Sequence, residues 1–327
     1  MFIKHTTLLL TAITAFSLII MSCEGPKGPE GPQGPAGETV SINCMDCHNE
    51  STLLKAKIMQ YENSAHHMGT SFARGSNGAC APCHAHEGFY QWVETGVMNM
   101  DGIDEPTPPA CRTCHNIHEN FDETDYQLKG TGEFALVGDM TDNHTVDMGS
   151  GNQCGKCHQT RERNYGLTVD GSGTIDIGSH WGPHYGAQTN MHVGYGGFEI
   201  GGNYSKTHPH NGQGVPDGCV SCHANTANHT FEATDESCEN CHSDFDNFGD
   251  YRGFQNEISG LLEELRDHLV AEGILDTSGH PIAEESTSHN KAGAMFNYLL
   301  VVNDGSLGLH NPPYIRRILE QSIAVFE

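Results

Sequence analysis

Twelve of the 13 cysteines in this chain fall into six copies of one pentapeptide, Cys-x-x-Cys-His, and no other feature restricts its folding as much. The copies are Cys44, Cys47 and His48; Cys80, Cys83 and His84; Cys111, Cys114 and His115; Cys154, Cys157 and His158; Cys219, Cys222 and His223; and Cys238, Cys241 and His242. Two residues between thiols suit one turn of helix, which sets both sulfurs on the edge of one planar macrocycle. The thiols then add across the two vinyl groups of one porphyrin, and the next residue, an imidazole, reaches the iron. Structural zinc would need four protein ligands per site, usually from paired Cys-x-x-Cys units, and does not demand a histidine after every second cysteine. A thioredoxin-like dithiol would occur once, beside a βαβ pattern. The expectation is six c-type haems, each with its motif histidine as proximal ligand.

The first cysteines are separated by 36, 31, 43, 65 and 19 residues, too unevenly for a simple repeat. The shortest gap makes the last two sites near neighbours. Apolar residues make up only 36% of the chain and glycine is abundant at 39 residues, so side chains alone would build a thin core. The macrocycles are expected to fill it. With 16 Lys and Arg against 42 Asp and Glu, the formal charge of −26 argues against a nucleic-acid partner, which calls for a basic footprint. A basic redox partner, a cationic metal species or plain colloidal solubility all fit that sign.

The N-terminus carries Lys4, then a largely apolar run from Leu8 to Met21, of signal-peptide length and short for a membrane span. It ends at Ile20-Met21-Ser22-Cys23, which resembles a bacterial lipoprotein signal, with Cys23 the lipidated residue. An ordinary secreted protein with an incidental Cys23 is the alternative. Gly25 to Gly37 follows as a collagen-like Gly-x-y tract of four triplets and a closing glycine. It is too short for an unaided triple helix and reads better as a semi-rigid stalk. The expected organisation is a leader over 1–22, a stalk over 23–38, a hexahaem domain over 39–250 and a helical region over 251–327 that packs on it.

Each iron also needs a sixth ligand or an open position. Of 22 histidines, six belong to the motifs and His5 lies in the leader, which leaves 15 for six positions. Supply therefore favours bis-histidine ligation throughout. Loop histidines with small or aromatic flanks are the leading distal candidates: His66, His118, His144, His184, His208, His229 and His310, seven names for six places. His67, His86, His180, His192 and His210 are near rivals, while His268, His280 and His289 read as surface residues. Methionine ligation would raise the potential. Met59, Met68, Met140, Met148 and Met191 are expected instead to pack against porphyrin faces as soft gap-fillers.

The C-terminus shows helical periodicity. Ile258, Leu261, Leu262, Leu265 and Leu269 recur between Phe254 and Ala271, with Gly273 as a stop. Ala292, Met295, Phe296, Leu299 and Leu300 share a face between about Ser288 and Val302. A third helix starts after Asn311-Pro312, an N-cap with proline in the first turn, and carries Ile315, Ile318, Leu319 and Ile323. Elsewhere Gly, Asn, Asp and Ser dominate. The predicted fold is a multihaem cytochrome c of loops and short helices wrapped around six haems, with a small C-terminal α-helical region and little β-sheet.

The segments Cys80 to Phe89, Asn152 to Gln159, His180 to Gln188 and Asn303 to Pro313 resemble multihaem outer-surface cytochromes, including hexahaem and tetrahaem proteins that polymerise into conducting filaments. That resemblance spans about residue 40 to the end. It implies bis-histidine haems in alternating stacked and T-shaped pairs, one of which can take a ligand from a neighbouring subunit. The lipoprotein signal and stalk depart from the filament proteins and favour a monomeric or locally assembled conduit. The expected function is electron transfer across the cell envelope, in a protein lipid-anchored through Cys23 at the outer membrane or cell surface, with the periplasm as the alternative. Expected partners are other redox proteins or multihaem cytochromes, further copies of this chain, or extracellular metal acceptors. Two alternatives stay open. One is a filament subunit. The other is a nitrite- or hydroxylamine-converting oxidoreductase with one open haem, although the Cys-x-x-Cys-Lys motif usual in nitrite reductases is lacking.

Overall fold

A computed structural model describes residues 45, 48 and 52–327, except 99, 139, 140, 142, 162–165, 169, 170, 213, 246 and 248. The leader, Cys23, the stalk, Cys44, Cys47 and Met140 lie outside the described residues. The longer helices are α1 (Thr52–Glu62), α2 (His86–Thr95), α3 (Gln188–Val193), α4 (Phe254–Ala271), α5 (His289–Asp304) and α6 (Pro312–Ile323). Sheet is confined, among these residues, to two antiparallel pairs: β1 (Phe134–Ala135) with β2 (Thr145–Val146), and β3 (Thr174–Asp176) with β4 (Ser286–Ser288). The chain is thus mostly loop and helix, with little sheet. No helix among the described residues is long and apolar enough to cross a membrane.

The three C-terminal helices form where the periodicity puts them, because their apolar stripes meet. Ile258, Leu265 and Leu269 of α4, Met295, Phe296 and Leu300 of α5, and Ile315, Ile318 and Leu319 of α6 are all fully buried in one cluster. Leu167, Ile177, Trp181, Met191 and Phe198, from the segment between the fourth and fifth motifs, complete that cluster. Contact there is close enough to exclude a side chain. A Cβ added to Gly293 in α5 would lie 2.0 Å from a ring carbon of Phe198. Helix ends are set locally. Gly305 terminates α5 in the left-handed region at φ 72°, which glycine adopts without Cβ strain. Asn311 caps α6 by accepting from the Tyr314 N–H, and Pro312 follows where no amide donor is needed.

A smaller cluster of Phe134, Leu136, Val146 and Met148 backs the β1–β2 hairpin. Met191 and Met148 are buried in the larger and smaller clusters respectively, whereas Met59 and Met68 are exposed. One surface expectation is overturned. His289 opens α5 in the interior, where its Nε2 accepts from the Thr168 N–H at 3.0 Å and its ring meets Phe198 edge-on. His268 lies partly buried, stacked on Phe326, and His280 is exposed.

Candidate functional site

The described cysteine motifs share one local geometry. One-turn helices cover Ala81–His84, Cys111–Cys114, Asn152–Gly155, Cys219–His223 and Asp235–Glu239. The histidine N–H donates to the carbonyl of the first cysteine at 3.1 Å for His84, 2.9 Å for His115, 3.0 Å for His158 and 2.9 Å for His242. Each motif therefore closes on itself as a helical turn that groups two thiols and an imidazole. The ten described motif cysteines are all free of disulfides. Nor does any group of three His, Cys, Asp or Glu among the described residues come together as a bare metal ion would require.

What the fold does assemble is pairs. Between ring centres, His48 lies 5.9 Å from His118, His84 6.1 Å from His184 and His115 6.1 Å from His229. His158 lies 6.0 Å from His66, His223 6.3 Å from His310 and His242 6.2 Å from His210. All six motif histidines thus face a different second histidine. Two imidazoles on opposite sides of one metal, each nitrogen about 2 Å from it and each ring centre about 1 Å further out, have centres about 6 Å apart. The donor set fits a haem iron held between two imidazoles, with the motif thiols beside it.

Tautomers support the same reading. A carbonyl oxygen only accepts, so an imidazole whose Nδ1 meets one carries its proton there and keeps the Nε2 lone pair for a metal. Among motif histidines, the Nδ1 of His115 donates to the Tyr126 carbonyl at 2.7 Å and that of His223 to the Phe231 carbonyl at 3.0 Å. Across from the motifs, His184, His229 and His210 donate to the carbonyls of Tyr185, Ala227 and Leu309 at 2.7, 2.8 and 2.8 Å. These bonds lock ring orientation as well as proton position. Desolvation by burial also holds His66, His84, His115, His158 and His223 below the ordinary imidazole pKa, which favours the neutral ligand form. His310 departs from this pattern. Burial pushes it down, but the charge and hydrogen bond of Asp304 outweigh that and leave it raised.

The loop carrying His118 shows how an irregular backbone positions a ring. His118 and Phe121 sit at φ 69° and 59°, in the left-handed region that L-residues seldom occupy. The Asp125 carboxylate accepts from the N–H groups of His118, Asn120 and Phe121 at 2.7, 2.8 and 3.2 Å, and the Phe121 ring stacks on His118. A single buried acid organises the turn.

Of the seven leading distal candidates, the fold brings His66, His118, His184, His229 and His310 opposite motif histidines. It does not do so for His144, which stacks on Tyr195 at 3.8 Å, or for His208, which packs edge-on against His210 at 4.8 Å. His210, one of the rivals, takes the place facing His242. The sequence held one signal for it: His208-Pro209-His210 puts two histidines around a proline that starts a tight 3-10 turn, of which His208 is the cap and His210 a member. Among the other rivals, His67 lies edge-on to Tyr61, the His86 Nδ1 meets Thr113 Oγ1 and the His180 Nδ1 meets Ser179 Oγ. His192 is buried 6.4 Å from His310, and no cysteine pair adjoins it in sequence.

The sites adjoin one another. Cys83 Sγ lies 3.8 Å from the Lys156 carbonyl, which joins the second motif to the fourth. Gln153 Nε2 donates to the Thr113 carbonyl at 3.4 Å, joining the third and fourth, and Ser237 Oγ donates to the Cys222 carbonyl at 2.8 Å, joining the fifth and sixth. His115 and His118, three residues apart, belong to different pairs.

Neither a protein-family model nor a curated protein matches the chain. Among solved structures, that of the outer cell wall cytochrome OcwA is similar, with a TM-score of 0.51 and 17% identity over 83% of this chain and 50% of that one. The chain spans about half the length of that structure, and what the two share is a fold.

Proposed function

We propose that this chain is a multihaem c-type cytochrome that binds six haems through its six Cys-x-x-Cys-His motifs and relays electrons between redox partners in the cell envelope. The observation that carries the reading is the set of six histidine pairs, each with one motif member and each at the separation of two imidazoles on one iron. Haem supplies reversible one-electron exchange when bound. The chain's own residues do the rest. The motif thiols would attach the group, the paired imidazoles would hold its iron, and the Nδ1 bonds to backbone carbonyls would keep His115, His223, His184, His229 and His210 fixed while charge changes. With two imidazoles to each iron, no position would be left for a substrate, and this favours a carrier over an oxidoreductase with an open haem. The hydrogen bonds between motifs support close spacing of the six centres, as a relay needs.

An acidic chain with the lipoprotein-like Cys23 suits attachment to the outer membrane or cell surface, where it would accept electrons from one redox protein and hand them to another, or to an oxidised metal species. The likeness in fold to an outer cell wall cytochrome agrees with that setting. The test is to purify the protein matured in a host that makes c-type cytochromes and to weigh it intact. Six added haems, with all twelve motif thiols resistant to alkylation, are expected. Free motif thiols or a smaller haem count would refute the reading.

A further inference from the structure

Among the described residues, His310 is the one histidine opposite a motif whose Nδ1 meets a carboxylate. Its Nδ1 lies 2.6 Å from Asp304 Oδ1, whereas those of His184, His229 and His210 meet neutral carbonyls. The Asp304 side chain has no exposed surface. Its second oxygen accepts from the Ser306 hydroxyl and from the Ser306 N–H at 3.3 Å, and the His310 N–H donates to Ser306 Oγ at 3.3 Å. The frame around it is rigid. Asp304 is the last residue of α5, the chain reverses through Gly305, and Asn311, next after His310, caps α6 while also donating to the His192 carbonyl at 3.2 Å.

Resting on the six-haem reading, we propose that Asp304 is a positioning residue that makes His310 a more electron-donating ligand than its carbonyl-bonded counterparts, and so holds the haem of the His223 motif at a lower potential than its own geometry alone would set. A buried negative charge on the far side of the ring strengthens the Nδ1 hydrogen bond, raises the basicity of Nε2 and favours the ferric state, which carries one more positive charge than the ferrous. Burial keeps that effect from being screened. Because the fifth motif adjoins the sixth through Ser237 and Cys222, and the segment leading into the fourth through the Ser150 N–H, which donates to Asp217 Oδ1 at 3.1 Å, the low-potential centre would sit inside the relay, as an internal step in it.

The test uses the mature holoprotein in three forms: unchanged, Asp304→Asn and Ser306→Ala. Asparagine keeps an acceptor and removes the charge, so one component of the spectroelectrochemical titration, about a sixth of the haem absorbance change on the six-haem reading, should move to higher potential. Removal of the Ser306 hydroxyl leaves the charge less compensated and should move the same component the opposite way. Shifts of opposite sign support the proposal; loosened packing would move both variants in one direction and overturn it. Titrations that superimpose on the unchanged protein would overturn it too, as would conversion of that haem to high spin in Asp304→Asn, which would make the role purely structural. Intact mass of each sample separates these outcomes from failure of the underlying reading, since a protein without six haems would fail that count first.

Discussion

The choice between His208 and His210 opposite His242 offers a sharp trial, because the two rings lie two residues apart and only one is free to bind metal. The His208 Nδ1 accepts from the His210 N–H at 3.3 Å. Burial and the neighbouring His210 ring push His208 down to about 4, so the ring is neutral at physiological pH and its one proton must sit on Nε2. That leaves no lone pair for an iron. His210 has the opposite tautomer, with Nδ1–H given to the Leu309 carbonyl at 2.8 Å and Nε2 open, at 6.2 Å from His242 between ring centres. Replacement of His210 by alanine should therefore leave one iron in six without its sixth ligand. Low-temperature electron paramagnetic resonance of the oxidised holoprotein should lose about a sixth of its low-spin ferric intensity and gain a matching high-spin signal, the haem count being unchanged. The lost Leu309 bond should lower stability by roughly 0.5–1.5 kcal/mol, too little to unfold the domain. His208→Ala should keep every haem low-spin. A high-spin signal from His208→Ala, or none from His210→Ala, would refute the tautomer argument.

Two further substitutions probe the scaffold. Asp125→Ala removes the acceptor of three backbone N–H groups around His118, so high-spin character should appear at the haem of the His48 motif and the other five should be unaffected, as read by the same spectroscopy. Gly293→Ala forces a methyl against Phe198 and should cost about 1–3 kcal/mol, seen as a lower thermal midpoint with spin states unaltered.

Local signals made much of this legible from sequence. Cys-x-x-Cys-His needs five residues to state its chemistry, and the stripes of α4, α5 and α6 repeat at a period that only one helix face can satisfy. Histidine pairing is different in kind. His66, on the one-turn helix Ala65–Met68, meets His158, and His229, in irregular chain, meets His115, and nothing next to either histidine names its partner. Flanking residues favoured His144 over His210, yet a tyrosine distant in sequence, Tyr195, stacks on the first, and the carbonyl of Leu309 turns the second toward His242. His289 misled for a similar reason. Its neighbours Ser288, Asn290 and Lys291 are polar, but the pairing of β3 with β4 and the approach of Gly171 and Phe198 bury it. Likewise, the side chains from residues 167–198 that share the core of the C-terminal helices lie far from them along the chain and show no periodicity that announces the contact.

The most direct measurement is diffraction from the mature holoprotein at the iron absorption edge, which locates each iron independently of the polypeptide. Six anomalous peaks are predicted, lying between His48 and His118, His84 and His184, His115 and His229, His158 and His66, His223 and His310, and His242 and His210. Fewer than six peaks, or any iron bound by a motif histidine but lacking its named counterpart, would contradict the account.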